Sequence, residues 1–257
     1  MMLDHDVHGR LGQPAVLLLG SLGADRRMWD PQVRALAGRW RVITADLRGH
    51  GRSPAPGGPY RMAELAEDVL DVLGAVNERR VHLVGLSLGG AVAQTLALAR
   101  PELVASLTLV STAARFGTPE TWRGKSELVA ARGTAALADA VVGNWFTDDC
   151  RRMRPELPRR FAEGIRATPD AGYAGCCGAL AGFDSREALA GLAPRLARRT
   201  LVIAGEQDTS TPLPVVRDLH GRIPGSAMIT VSPAKHLLTA ERPELVNPIL
   251  AGWFAGG

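Results

Sequence analysis

Gly85-Leu86-Ser87-Leu88-Gly89 sets a serine between glycines, directly after the apolar run "RVHLVG" and directly before the small, helix-compatible "LGGAVAQTLALA". A serine hydroxyl is a weak nucleophile until a base takes its proton and a third group orients that base. A strand, a sharp turn and a helix would lift such a hydroxyl out of a sheet, with glycines leaving room for the strained backbone. Composition alone, with 29 glycines, gives roughly 0.1 chance matches to G-x-S-x-G. The flanking strand and helix therefore carry the reading, and Ser87 is the candidate nucleophile.

Its partners follow in chain order as acid and then histidine. Asp208 comes just after "TLVIAGEQ", and His236 just after "AMITVSPAK", so both stand in loops past the end of an apolar run. Glu206 and Asp184 compete with Asp208 for the acid's place. Among the other histidines, His5 and His8 lie near the start, His82 within a strand and His220 within a helix, while His50 in "RGHGRS" suits a turn. A tetrahedral intermediate needs N–H donors for its oxyanion. Leu88, immediately after the serine, supplies one, and Leu22 in "LLLGSLGADRRMW" is the candidate for the second.

The elements that must hold these residues are legible as an alternation. Apolar runs at 14–20, 41–46, 80–85, 106–111, 200–205 and 227–232 read as buried parallel strands, separated by helix-period segments. Such a sheet is covered by helices on both faces and gathers ligands at the carboxyl ends of its strands. Between about Ala113 and Arg199 no strand pattern occurs, only helical pieces punctuated by Pro119, Pro155, Pro158 and Pro169. A structureless loop of that length is implausible, so a helical cap is expected over 113–199, between core segments 1–112 and 200–257.

Composition bounds the function classes. The 257 residues are 46% hydrophobic and carry 30 Lys+Arg against 26 Asp+Glu, with only Lys125 and Lys235 as lysines. The arginines are scattered, with no stripe or basic tail, which argues against nucleic acid. No apolar stretch approaches the ~18 residues of a membrane helix and no signal-peptide pattern opens the chain, so a soluble cytoplasmic protein is expected. Three cysteines, two of them adjacent at Cys176-Cys177, imply no disulfide framework and read as small packing residues. No spacing of histidines and carboxylates suggests a metal, and no cofactor is expected.

With these motifs in place, the chain resembles the α/β-hydrolase superfamily and, within it, the 3-oxoadipate enol-lactonases. The resemblance rests on "GSLGADRRMWDPQV", "VITADLRGHGRSPAPGGPY", "HLVGLSLGG", "STAARFGTPETW", "GNWF", "DAGYAGCCGAL" and "LVIAGEQDTSTP". It implies an α/β-hydrolase fold, a mostly parallel sheet with helices on both faces and the cap inserted after the family's sixth strand, here 106–111. It also implies hydrolysis of a five-membered enol-lactone with a carboxymethyl arm, an anionic small molecule, by Ser87, His236 and Asp208. Arg115 at the cap entrance suits the substrate carboxylate, and Trp122 and Trp145 suit pocket walls. Tying the cap to the core and plain packing remain open as their alternatives. Another small ester or lactone is the second reading, and a ligand receptor with an idle triad the third.

The chain also departs from the family pattern. Only thirteen residues precede Pro14, where such enzymes usually carry an antiparallel pair, so an edge strand is expected to be missing. Position 20 is glycine rather than histidine or asparagine, Lys235 stands where a small residue is commoner, and "LLTAERPEL" follows His236.

Overall fold

The computed structural model describes residues 1–256. Strand β2 (Ala15–Leu19) is apolar at every position because both its faces are covered. Val16 and Leu18 enter one buried cluster, Leu17 and Leu19 the other, as alternation along a strand requires. Each fully buried leucine contributes ~1.5–3 kcal/mol by leaving water. The same division splits β3 (Arg41–Ala45) at Val42 and Ile43, and β4 (Val81–Leu86) at Leu83 and Val84.

With β1 (His5–His8), β5 (Val104–Val110), β6 (Thr200–Gly205) and β7 (Ala227–Val231), these form a seven-stranded sheet in the order β1-β3-β2-β4-β5-β6-β7. All neighbours are parallel except β1 and β3, where His5 stands opposite Ala45 and His8 opposite Val42. The segment before Pro14 thus holds one antiparallel edge strand. Sequence reading missed it because "HDVH" is short and only half-buried.

Helices close both faces. Helix α1 (Asp30–Leu36) packs with the C-terminal pair α11 (Leu238–Glu241) and α12 (Pro243–Ala255) on the face that buries Val16 and Leu18. On the other face lie α2 (Met62–Ala75), α3 (Leu88–Ala99), the short α9 (Pro194–Ala197) and α10 (Leu213–Gly221). Helix α12 gave no clear sequence signal because Pro248 stands inside it. Its apolar positions Val246, Leu250 and Phe254 nevertheless recur at four-residue spacing and are buried.

Between β5 and β6 the chain runs through α4 (Pro119–Arg132), α5 (Ala138–Trp145), α6 (Asp148–Met153), α7 (Glu156–Ala167) and α8 (Asp170–Ala181). Helix α8 docks on the core through glycines. A Cβ at Gly172 would fall 2.5 Å from the Gly49 Cα, and one at Gly178 2.5 Å from the Pro59 Cβ. The Tyr60 N–H donates to the Gly175 carbonyl at 3.0 Å. Cys176 and Cys177 on this helix are fully buried, and burial pushes the Cys177 thiol up to about 12. Among the described residues no helix is long and apolar enough to cross a membrane.

Candidate active site

Ser87 joins β4 to α3 with φ 55° and ψ −113°, a conformation that is strained for a residue bearing a Cβ. The glycines around it answer to close approach rather than to unusual φ. A Cβ at Gly85 would lie 2.2 Å from the Gly89 carbonyl oxygen, one at Gly89 2.3 Å from that of Leu19, and one at Gly90 2.5 Å from the Thr112 hydroxyl. The elbow is fastened from below, since the Ser87 N–H donates to Val110 O at 3.0 Å and the Thr112 hydroxyl to Ser87 O at 2.8 Å.

The same turn fixes the loop after β2. Gly89 N–H donates to Gly20 O at 2.9 Å, and Gly23, at φ +80°, donates to His50 Nε2 at 2.8 Å. His50 is fully buried, and burial lowers its imidazole to about 4. It is neutral at pH 7, with Nδ1 3.1 Å from Arg48 O and able to donate to it. Between these ties lies Leu22. Among the described residues neither its N–H nor that of Leu88 has a hydrogen-bond acceptor, so two donors are left free beside Ser87.

Asp208 follows β6 and His236 follows β7. The two turns touch through backbone, with Gln207 N–H donating to Ala234 O at 2.9 Å, and a Cβ at Gly205 would fall 2.3 Å from Lys235 O. His236 Nδ1 lies 2.8 Å from Asp208 Oδ2, and both residues are buried. The carboxylate also accepts from Ser210 N–H at 2.8 Å, Thr211 N–H at 3.1 Å and the Thr211 hydroxyl at 2.6 Å. Burial alone would raise its pKa, but His236 and Thr211 outweigh it and hold the carboxyl below the ordinary value. An ionised acid that accepts from Nδ1 leaves Nε2 as the proton acceptor. The competing carboxylates are engaged elsewhere: Glu206 accepts from Ser232, and Asp184 pairs with Arg186 at 2.6 and 2.9 Å.

Ser87, His236 and Leu22 line one cavity of about 270 Å³, together with Trp122, Trp145 and Lys125. Trp145 stacks at 28° on His236, with centroids 6.5 Å apart. Trp122 is held by its indole N–H, which donates to Phe116 O at 2.6 Å. Lys125 Nζ sits 4.3 Å from the centre of the Trp122 ring. Among the described residues it has no carboxylate within ion-pair distance, and burial lowers its pKa. An ammonium that is partly desolvated, has no carboxylate partner among the described residues and shares a cavity wall with Ser87 is suited chemically to meet an anionic group.

The family model described as "alpha/beta hydrolase fold" matches residues 14–243. This chain belongs to the α/β-hydrolase family. Among curated relatives of this hydrolase, 3-oxoadipate enol-lactonase 1 of Acinetobacter baylyi is 35% identical over 98% of this chain and 92% of its own length. A RutD protein of Variovorax paradoxus, assigned as a carbamate hydrolase, is 36% identical over 82% and 80%. The solved enol-lactonase of Burkholderia xenovorans superposes with a TM-score of 0.94 at 32% identity, covering 98% of this chain and 96% of that one. The family acts on ester bonds, as the enol-lactonases do, and the chain is a hydrolase of that kind.

Of the residues singled out by sequence, the hydrolase brings Ser87, Asp208, His236, Leu22, Leu88, Trp122 and Trp145 into one neighbourhood. Arg115 is the exception. Its backbone bridges Asp184 in antiparallel fashion, its side chain is 39% exposed and 3.9 Å from the Asp184 carboxylate, and it does not line the cavity. The chain turns after β5 so that residue 115 joins the cap's return segment, and the wall receives its cation nearly two turns into α4, at Lys125. Sequence reading passed over Lys125, Thr211 and His50. The one available signal was compositional: of two lysines in the chain, one lines this cavity and the other precedes His236.

Proposed function

We propose that this hydrolase opens 3-oxoadipate enol-lactone to 3-oxoadipate, a step in the breakdown of aromatic compounds, by a serine mechanism. The observation that carries the reading is Lys125, an ammonium without a carboxylate partner among the described residues, in the wall of a cavity that also holds Ser87 and His236. The names of the enol-lactonase relatives support the same substrate. The cavity is smaller than the ~300–1,000 Å³ usual for drug-sized ligands, in keeping with a small lactone.

In this reading the Lys125 ammonium receives the carboxymethyl arm and Trp122 and Trp145 flank the ring. Ser87 Oγ attacks the ring carbonyl while His236 Nε2 takes its proton, and the Leu22 and Leu88 N–H groups hold the oxyanion. Collapse of the intermediate breaks the ring C–O bond. The leaving oxygen departs as an enolate that stays tethered to the acyl chain, takes the proton held on His236 and ketonises, so it needs little acid help and the imidazole is neutral again. Water, deprotonated by His236, then attacks the acyl-enzyme and releases the dicarboxylate. Asp208 keeps the imidazole oriented and stabilises its cation without itself taking the proton.

Measuring kcat/KM for the enol-lactone and for its methyl ester tests the assignment. The free acid is expected to be the better substrate. Preference for the methyl ester, or for a carbamate, would overturn it and place the enzyme among hydrolases of other small esters or amides.

A further inference from the structure

Lys235 and the segment after His236, where the chain departs from the family pattern, meet at Glu241. This carboxylate is 1% exposed, and among the described residues no cation lies within ion-pair distance of it. It is satisfied by neutral donors. Oε1 accepts from the Thr147 N–H at 3.0 Å and from the Thr147 hydroxyl, and Oε2 accepts from the Lys235 N–H at 3.0 Å. On the other side of the histidine, Leu237 N–H donates to Trp145 O at 3.1 Å. The Lys235 ammonium donates to Gly143 O at 3.1 Å. Both neighbours of His236 are therefore fastened to one corner, where α5 passes into α6, some 94 residues away along the chain.

Burying a carboxylate without a cation is unfavourable unless its lone pairs are filled. The charge has a use here that an amide could not serve. Glutamine offers a single acceptor oxygen, so it could answer Thr147 or the Lys235 N–H, and its NH2 would then face the other donor. A carboxylate accepts on both sides and fixes the distance between them.

We infer that Glu241 is a positioning residue for His236, holding the imidazole in register with Ser87 by tying its loop to the α5–α6 corner. The inference rests on His236 acting as the general base. A displacement of about 1 Å in such a group can cost about 10²-fold in rate, whereas a residue that only binds cap to core would alter stability and substrate affinity.

The test is steady-state hydrolysis of 4-nitrophenyl acetate, whose acyl group is too small to depend on the cap's tryptophans. Tm and the downfield proton resonance of the His236–Asp208 hydrogen bond are read alongside. For Glu241→Gln, kcat is expected to fall about 10- to 10²-fold with KM within about twofold, and the resonance to broaden or disappear. Thr147→Val, which removes the hydroxyl donor to Glu241 and with it the α6 N-cap to the Cys150 N–H, should lower kcat about threefold and broaden the resonance, besides any fall in Tm from the lost cap. It decides the matter if Glu241→Gln does not fold. Wild-type kcat and an unchanged resonance in a folded variant, whatever its Tm, overturn the inference. His236→Ala separates the two levels, since wild-type activity there removes the base assignment and the inference with it.

Discussion

Lys125→Met preserves the length of the aliphatic stem against Trp122 and removes the charge, which makes it the sharpest probe of substrate choice. For two unit charges about 4 Å apart at an effective dielectric near 20, the Coulomb term is about 4 kcal/mol. Lys125 is only partly buried, so solvent screening reduces this to roughly 2–3 kcal/mol, or about 30- to 150-fold in kcat/KM for the enol-lactone. The methyl ester has no charge to lose and should change less than about threefold, so the four measurements close a double-mutant cycle. Burial lowers the lysine's pKa, and a lysine is cationic only below its pKa. The advantage of the acid over the ester should therefore fade with rising pH before the ordinary lysine range is reached, and Lys125→Met should lack that limb. Equal losses for acid and ester in a folded variant would refute the reasoning, because they would mean cap damage rather than a missing charge.

Other expectations follow from the same geometry. Ser87→Ala should lower ester hydrolysis by at least ~10³-fold while the circular dichroism spectrum is kept, and near-normal turnover would exclude the serine mechanism. Asp208→Asn should reduce kcat by ~10²- to 10⁴-fold, against less than about threefold for Glu206→Gln or Asp184→Asn; a crippling Glu206→Gln would transfer the acid's role. Arg115→Ala should change kcat/KM for the acid by less than about threefold, since an exposed pair of this kind is worth ~0–1 kcal/mol and does not reach the cavity. Gly89→Ala would set a Cβ 2.3 Å from the Leu19 carbonyl oxygen and should displace the elbow or unfold it, read as loss of soluble protein or of turnover.

The parts of the site that sequence revealed are those that a local pattern controls. Ser87 announced itself because the strand, the glycines and α3 are contiguous, and Asp208 and His236 because each follows its own apolar run. Leu22 was a geometric guess from a glycine-rich loop, and among the described residues its N–H has no acceptor. Arg115 misled because adjacency to β5 in sequence did not fix the direction of the chain after the strand. One antiparallel bridge to Asp184 turns it away from the cavity. Lys125 gave no motif, since its place depends on how α4 packs along α8, a contact between segments distant in sequence. Glu241 and His50 are likewise defined by partners far off in the chain, Thr147 and Gly23, and their residue types alone are compatible with any loop.

Those distant contacts bear on how the cap can work. It is fastened to the core at two places of different character. Helix α8 lies against the 49–60 segment with glycine backbones in contact, where even a methyl group would intrude. The α5–α6 corner is held by the hydrogen bonds of Glu241, Lys235 and Leu237. A hinge at either seam would have to expose a close backbone contact or a buried carboxylate, both strongly unfavourable. Helix α4 meets neither constraint. It carries Trp122 and Lys125 into the cavity and packs along α8, with Val129 fully buried and Trp122 and Leu128 partly so. Because α4 also packs along α8, only those of its side chains that face the cavity, Lys125 first among them, should shift specificity at small expense in stability when replaced, while substitutions at the two seams should do the reverse.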